Sequence, residues 1–223
     1  MSTVGGLKRK KIFIVDDHPV FRYGLSQLIN LEMGMTVCGE ADSAEKALPM
    51  IRELKPDLVI VDIGLEGQSG LELTKDIASL GGNLPVLIVS MYDETLYAER
   101  ALRQGARGYV MKQKTYETVI TAIRRILEGG IYLSDQVSEK IITKAVTVGS
   151  AKEKTPLAEL TDREIEVLRL IGNGKSTREI STTLNLSVNT INTYRERIKV
   201  KLNLKNHLEL QKFAIHWTDK KEM

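Results

Sequence analysis

At 223 residues, with 42% hydrophobic and 27% charged residues, the chain has the composition of a folded globular protein and length for two domains. No apolar run approaches the ~18 residues of a membrane span, residues 1–10 lack a signal-peptide core, and the lone cysteine, Cys38, excludes an internal disulfide, so the expected compartment is the cytoplasm. Net charge is +3 but uneven: residues 1–140 carry 17 Lys/Arg against 19 Asp/Glu, and residues 141–223 carry 15 against 10, which makes nucleic acid a candidate partner for the second part.

From Lys11 to Glu128, short β-branched runs alternate with amphipathic stretches. The strands expected are Ile12–Val15, Thr36–Glu40, Leu58–Val61, Pro85–Val89 and Gly108–Met111. Between them the 3.6-residue period predicts helices over Val20–Leu31, Ser43–Leu54, Gly70–Ser79, Thr95–Arg103 and Thr115–Glu128. Five such repeats with short connections predict an α/β domain, a five-stranded parallel sheet wound with helices on both faces. Cys38 reads as a small buried hydrophobe in the second strand. Ser43 is an expected N-cap with only a partial capping box, because Lys46 stands where Glu or Gln belongs. Gly129-Gly130 is a C-cap signal.

Residues 132–156 are read as a linker, with a short helix able to extend to Ala145. Four helices then follow closely: Thr161–Ile171, opened by the capping box Thr161-Asp162-Arg163-Glu164, Thr177–Asn185, Val188–Leu202 and Asn206–Trp217. The expected division is 9–131, 132–156 and 157–218, the last a small all-α domain.

The chemistry lies at the strand ends. Asp16 and Asp17 close the first strand and Asp62 the third. In a parallel open sheet these ends converge on one crevice. Three carboxylates there repel one another unless a cation joins them, and hard oxygen ligands suit Mg²⁺. Asp62 is the expected nucleophile toward phosphorus, Asp16 and Asp17 hold the metal, and the Gly64 carbonyl is a further oxygen ligand. Ser90 ends the fourth strand with a hydroxyl, and Lys112 ends the fifth with an ammonium able to reach phosphoryl oxygens. His18 is read as a residue of the helix start before Pro19, not as a ligand. A haloacid-dehalogenase-type phosphatase also uses an Asp nucleophile with Mg²⁺, but its Asp-x-Asp differs from the adjacent Asp16-Asp17 here.

Over about residues 9–131 this pattern resembles the receiver domain of two-component response regulators, whose fold is flavodoxin-like. The resemblance implies that Asp62 accepts a phosphoryl group from a sensor histidine kinase with Mg²⁺. It assigns Asp16, Asp17, Asp62 and Gly64 to the metal, Ser90 to a switch hydroxyl and Lys112 to phosphate binding. Tyr109 matches the switch aromatic that rotates inward, although simple strand packing also accounts for a Tyr there.

In Val188–Leu202, Ile191, Ile198 and Leu202 mark a buried face. The opposite face presents Asn189, Thr193, Glu196 and Val200, flanked by Asn192 and Lys199. Asn, Thr and Glu can read base edges, while Lys175, Thr177, Thr190 and Lys199 suit backbone phosphates. Residues 157–217, through Leu160-Thr161-Asp162-Arg163-Glu164, Gly172-Asn173-Gly174-Lys175-Ser176 and Leu186-Ser187-Val188-Asn189-Thr190-Ile191, resemble the LuxR-type helix-turn-helix. The pairing resembles the NarL/FixJ family. It implies a transcription regulator, not a classical enzyme, with promoter DNA as partner and a homodimer on activation. The alternative is a phosphorelay module whose helices bind protein instead of DNA.

Overall fold

The computed structural model describes residues 9–146 and 156–219. They form two compact units, one within residues 1–147 and the other within 148–223. In the first, β1 (Lys10–Val15), β2 (Met35–Ala41), β3 (Leu58–Val61), β4 (Val86–Ser90) and β5 (Gly108–Met111) make one parallel sheet in the order β2-β1-β3-β4-β5. The strands alternate with α1 (Pro19–Leu31), α2 (Ala44–Leu54), α3 (Gly70–Ser79), α4 (Glu94–Arg103) and α5 (Tyr116–Leu127). Every expected element is present, with ends displaced by one or two residues.

The central strands are apolar over Ile12–Val15, Leu58–Val61 and Val86–Val89 because both faces are covered there. Ile12, Ile14, Leu58, Ile60, Leu87 and Val89 point to one face, where Leu25 and Ile29 of α1 and Val119, Ile120, Ile123 and Ile126 of α5 meet them. The alternate residues Phe13, Val15, Val59, Val61 and Ile88 are equally buried on the other face. Each such side chain contributes roughly 1.5–3 kcal/mol of transfer free energy, so the sheet is held most firmly where the site residues leave it.

Helix ends follow their local chemistry. Ser43 caps α2 without a side-chain hydrogen bond, and Lys46, where a Glu would have closed the box, bonds Asp42 at 2.7 Å. At the end of α5, Gly129 N–H donates to Ile126 and Gly130 N–H to Arg125, with Gly129 at φ 89°. That is a Schellman closure. Cys38 is half-buried, not a core residue: it falls where the β1–β2 register shifts between Ile12 and Phe13. A bulge turns it partly out of the layer.

Within the stretch read as linker, Tyr132 first lines the outer edge of β5. Its N–H donates to Arg107 O, and its carbonyl accepts from Tyr109 N–H, both at 3.0 Å. Next comes α6 (Asp135–Val146), which packs on α4 through buried Val137 and a Lys144–Glu99 ion pair of 2.9 Å.

The second unit has a 3₁₀ turn (Pro156–Glu159), then α7 (Asp162–Gly172), α8 (Thr177–Thr183), α9 (Val188–Lys201) and α10 (His207–Asp219). Thr161 and Glu164 close the expected capping box on α7; Ser176 and Glu179 close a second on α8. α8 stops two residues before its expected end because Asn185 takes a left-handed conformation (φ 50°), tolerated by Asn. Leu186 N–H then reaches back to Ser181 O at 2.9 Å, giving the tight turn before Ser187 caps α9. Gly172 lets α7 approach α10: a Cβ there would stand 2.6 Å from Ala214 O. Among the described residues, no helix is long and apolar enough to cross a membrane.

Candidate functional site

Strand register assembles the site. Val15 pairs with Val61, and the ladder runs one residue further, with Asp62 N–H donating to Val15 O at 2.9 Å. Asp16 N–H is tied to Ala41 O, and Lys112 N–H to Ser90 O at 2.8 Å. Asp16, Asp62, Ser90 and Lys112 thus stand together at the carboxyl edge. α3 is pressed onto this edge: Ser69 caps it, and a Cβ on Gly70 would lie 1.8 Å from the Asp62 carbonyl oxygen.

The Lys112 ammonium lies 2.7 Å from both Asp16 Oδ2 and Asp62 Oδ2, with all three side chains no more than 4% exposed. The Phe21 ring of α1 covers it, 4.5 Å from the ammonium to the ring centroid. One cation shared by two buried carboxylates offsets only part of their repulsion. Burial pushes the Asp16 carboxyl above its ordinary range, Lys112 pulls it back, and the Asp62 charge raises it again. Asp17 Oδ1 is buried, with His18 Nδ1 the polar atom beside it at 2.6 Å. One ligand atom each from Asp16, Asp17, His18 and Asp62 fall within 4.8 Å of one another. Three carboxylates gathered this closely, two of them sharing one ammonium, fit a hard divalent cation such as Mg²⁺.

His18, read from the sequence as part of the helix start, is the N-cap of α1. Its Nδ1 also faces the acids, 2.6 Å from Asp17 Oδ1, 3.4 Å from Asp16 Oδ1 and 3.9 Å from Asp62 Oδ2. Gly64 follows Asp62 closely, its N–H donating to Asp62 Oδ1 at 3.3 Å. Ser90 is fully buried, and its Oγ lies 3.5 Å from Tyr92 N. Tyr109 is buried too; its hydroxyl donates to Tyr92 O at 2.8 Å, and burial drives that hydroxyl well above the usual tyrosine range. Its ring already lies inward.

In the second unit, α9 presents Asn189, Asn192, Thr193, Glu196 and Val200 exposed, opposite buried Ile191 and Ile198. Lys199 is not a free cation: Glu196 holds it at 2.9 Å, and its side chain is only 13% exposed. Thr177 Oγ1 accepts from Arg195, Thr190 Oγ1 meets Ser187 Oγ at 2.8 Å, and Lys175 is exposed on the α8 side. Arg178 and Arg197 are exposed beside these groups and were absent from the expected contact set. Their place on the helix flanks was legible in the sequence, since both lie beside the polar face and not at its centre.

Residues 12–124 match the response regulator receiver domain, and residues 158–214 match the bacterial regulatory proteins of the luxR family. The chain is 34% identical over 205 residues to the response regulator GacA of Pseudomonas aeruginosa, covering 92% of this chain and 95% of that one. It is 34% identical over 209 residues to the oxygen regulatory protein NreC of Staphylococcus aureus, covering 92% and 96%. A crystal structure of a LuxR-family two-component response regulator from Aurantimonas sp. SI85-9A1 superposes with a TM-score of 0.58 at 35% identity, over 62% of this chain and 99% of that chain. With a receiver fold followed by a LuxR-type helix-turn-helix, the chain belongs to the NarL/FixJ family of two-component response regulators.

Proposed function

We propose that Asp62 accepts a phosphoryl group from the phosphohistidine of a sensor kinase, and that this switches dimerisation and sequence-specific promoter binding in the bacterial cytoplasm. The observation that carries the reading is Lys112 bridging Asp16 and Asp62, with Asp17 gathered into the same cluster of ligand atoms within 4.8 Å. An Asp62 carboxylate oxygen attacks phosphorus; the P–N bond breaks, and its electron pair returns to the kinase imidazole, which takes up a proton. Asp16, Asp17, Asp62 and the Gly64 carbonyl would hold Mg²⁺, which supplies charge neutralisation for the phosphoryl oxygens. Lys112 exchanges its contact with Asp62 for one phosphoryl oxygen, and Ser90 donates to another.

The switch follows from what Ser90 gives up. Its hydroxyl now lies against the Tyr92 backbone, the same residue whose carbonyl Tyr109 holds. Drawing Ser90 toward a phosphoryl group reorganises the β4–α4 loop that Tyr109 pins, and a small change there biases a two-state element. On the output side, Asn189, Asn192, Thr193 and Glu196 read bases, while Lys175, Thr177 and Thr190 face the phosphates and Lys199 stays on Glu196. The test is DNA selection and binding with and without acetyl phosphate and Mg²⁺, beside Asp62→Ala. Tighter, dimeric, selective binding that requires Asp62 is expected; selective binding indifferent to phosphorylation refutes the switch. Binding to protein alone, with no steep salt dependence, returns the interaction-module reading.

A further inference from the structure

We propose that His18 adds an imidazole ligand to the carboxylate site, so that the site takes late first-row divalent ions such as Co²⁺, Ni²⁺ or Zn²⁺ as well as Mg²⁺. This rests on the metal-site reading above and concerns which ions that site accepts.

A histidine at a helix start is free to turn its ring into solvent, and 62% of this side chain is exposed. Nδ1 faces Asp17, Asp16 and Asp62 at 2.6, 3.4 and 3.9 Å. Around a six-coordinate ion with bonds of about 2.1 Å, neighbouring ligand atoms are about 3 Å apart and opposite ones about 4.2 Å. The 3.4 and 3.9 Å separations fall within that range, and the 2.6 Å one lies below it, to be opened by a small turn of the ring.

Position is held by the backbone. His18 N–H donates to Asp16 Oδ1 at 2.9 Å, and Pro19 fixes the next turn, so the ring is anchored to the carboxylate it faces. Lys112 occupies the opposite flank, on Asp16 Oδ2 and Asp62 Oδ2, which leaves Asp16 Oδ1, Asp17 Oδ1 and His18 Nδ1 grouped on one side. Three oxygens alone favour Mg²⁺ or Mn²⁺; an imidazole nitrogen among them favours the later metals.

Metal-free full-length protein is titrated calorimetrically with Mg²⁺ and with Co²⁺ at a pH above the ordinary imidazole range, as native chain, His18→Asn and Asp17→Asn. Asn is itself a good N-cap, so it keeps the helix start while exchanging nitrogen for oxygen. In His18→Asn the Co²⁺ affinity should fall about tenfold or more while Mg²⁺ uptake is unchanged. Pulsed electron paramagnetic resonance of bound Mn²⁺ should show nitrogen coupling in the native chain that His18→Asn abolishes. Equal Co²⁺ affinity in native and His18→Asn proteins overturns the proposal, as do equal losses for both ions, which would mark a disturbed helix start. Native protein that takes up neither ion, or Asp17→Asn that takes up Mg²⁺ normally, overturns the metal site itself and the proposal with it.

Discussion

Asp17 is placed at a thermodynamic cost, and removing its charge should stabilise the metal-free protein. Its Oδ1 is buried beside His18 Nδ1 at 2.6 Å, among carboxylates whose ligand atoms fall within 4.8 Å. Two unit charges at that widest separation repel by about 3.5 kcal/mol at an effective dielectric of about 20. The side chain is 20% exposed, and His18 and Lys112 offset part of the field, leaving about 1–2 kcal/mol for the variant to recover. Asp17→Asn in chelator should therefore raise the receiver transition in scanning calorimetry by roughly 3–8 °C. Mg²⁺ should invert the order. At 100 times its dissociation constant it stabilises the native chain by about 2.7 kcal/mol, and the variant by far less. A variant less stable than native in chelator would mean that Asp17 serves the fold; an equal response to Mg²⁺ would mean that it does not hold the metal.

Three further outcomes can be stated. Gly70→Ala should destabilise the first unit by about 3 kcal/mol or more, because its Cβ meets the Asp62 carbonyl oxygen at 1.8 Å; Gly24→Ala, a helical site with nothing within 4 Å, should stabilise it by about 0.5–1 kcal/mol, both read by chemical denaturation. Burial pushes the Glu164 carboxyl up, but the hydrogen bonds from Lys201 (2.6 Å) and Thr161 (2.7 Å) leave it below its ordinary value. Its contribution is thus complete above the unfolded glutamate range and lost as pH falls through the folded value; Lys201→Met should move acid unfolding of the second unit to higher pH, and an unchanged midpoint would refute the pairing. Glu196→Gln should free Lys199 for phosphate, steepening the salt dependence of DNA binding by about one counterion; an unchanged slope would show Lys199 still engaged.

The receiver was readable because its strands are buried on both faces and its chemistry sits at strand ends. Runs such as Leu58-Val59-Ile60-Val61 admit few other structures, and parallel register then brings Asp16, Asp62, Ser90 and Lys112 together without further information. Properties set by individual dihedrals were not readable. His18 faces the acids because its backbone is extended (φ −89°, ψ 102°) and Asp16 holds its N–H, neither of which a periodicity reveals. Asn185 continued the expected helix in pattern, yet a left-handed residue ends it. α6 was anticipated only as a short helix within a linker; its anchorage on α4 draws on buried Val137 and on the long-range contacts Lys144–Glu99 and Lys140–Thr95 O.

Glu196 shows how little the basic composition of the second unit says about the face that meets DNA. The excess of Lys and Arg suggested a positive recognition surface, but on α9 the carboxylate holds Lys199 at 2.9 Å and lies 3.6 Å from His207 Nε2. The hydrogen bond from Lys199 keeps Glu196 ionised by lowering its carboxyl below the usual range. On the proposed reading, electrostatic affinity comes from the flanks, where Lys175, Arg178 and Arg197 are exposed, leaving the centre to neutral Asn189, Asn192 and Thr193. Such a division follows from the physics of recognition: phosphate contacts set register without sequence information, and base edges are read by directional hydrogen bonds. On that reading, a carboxylate between the two zones repels phosphate and accepts only from a base amino group, cytosine N4 or adenine N6. It would therefore lower affinity for duplexes that offer no amino group there more than for one that does, which is how a weakly charged helix can discriminate.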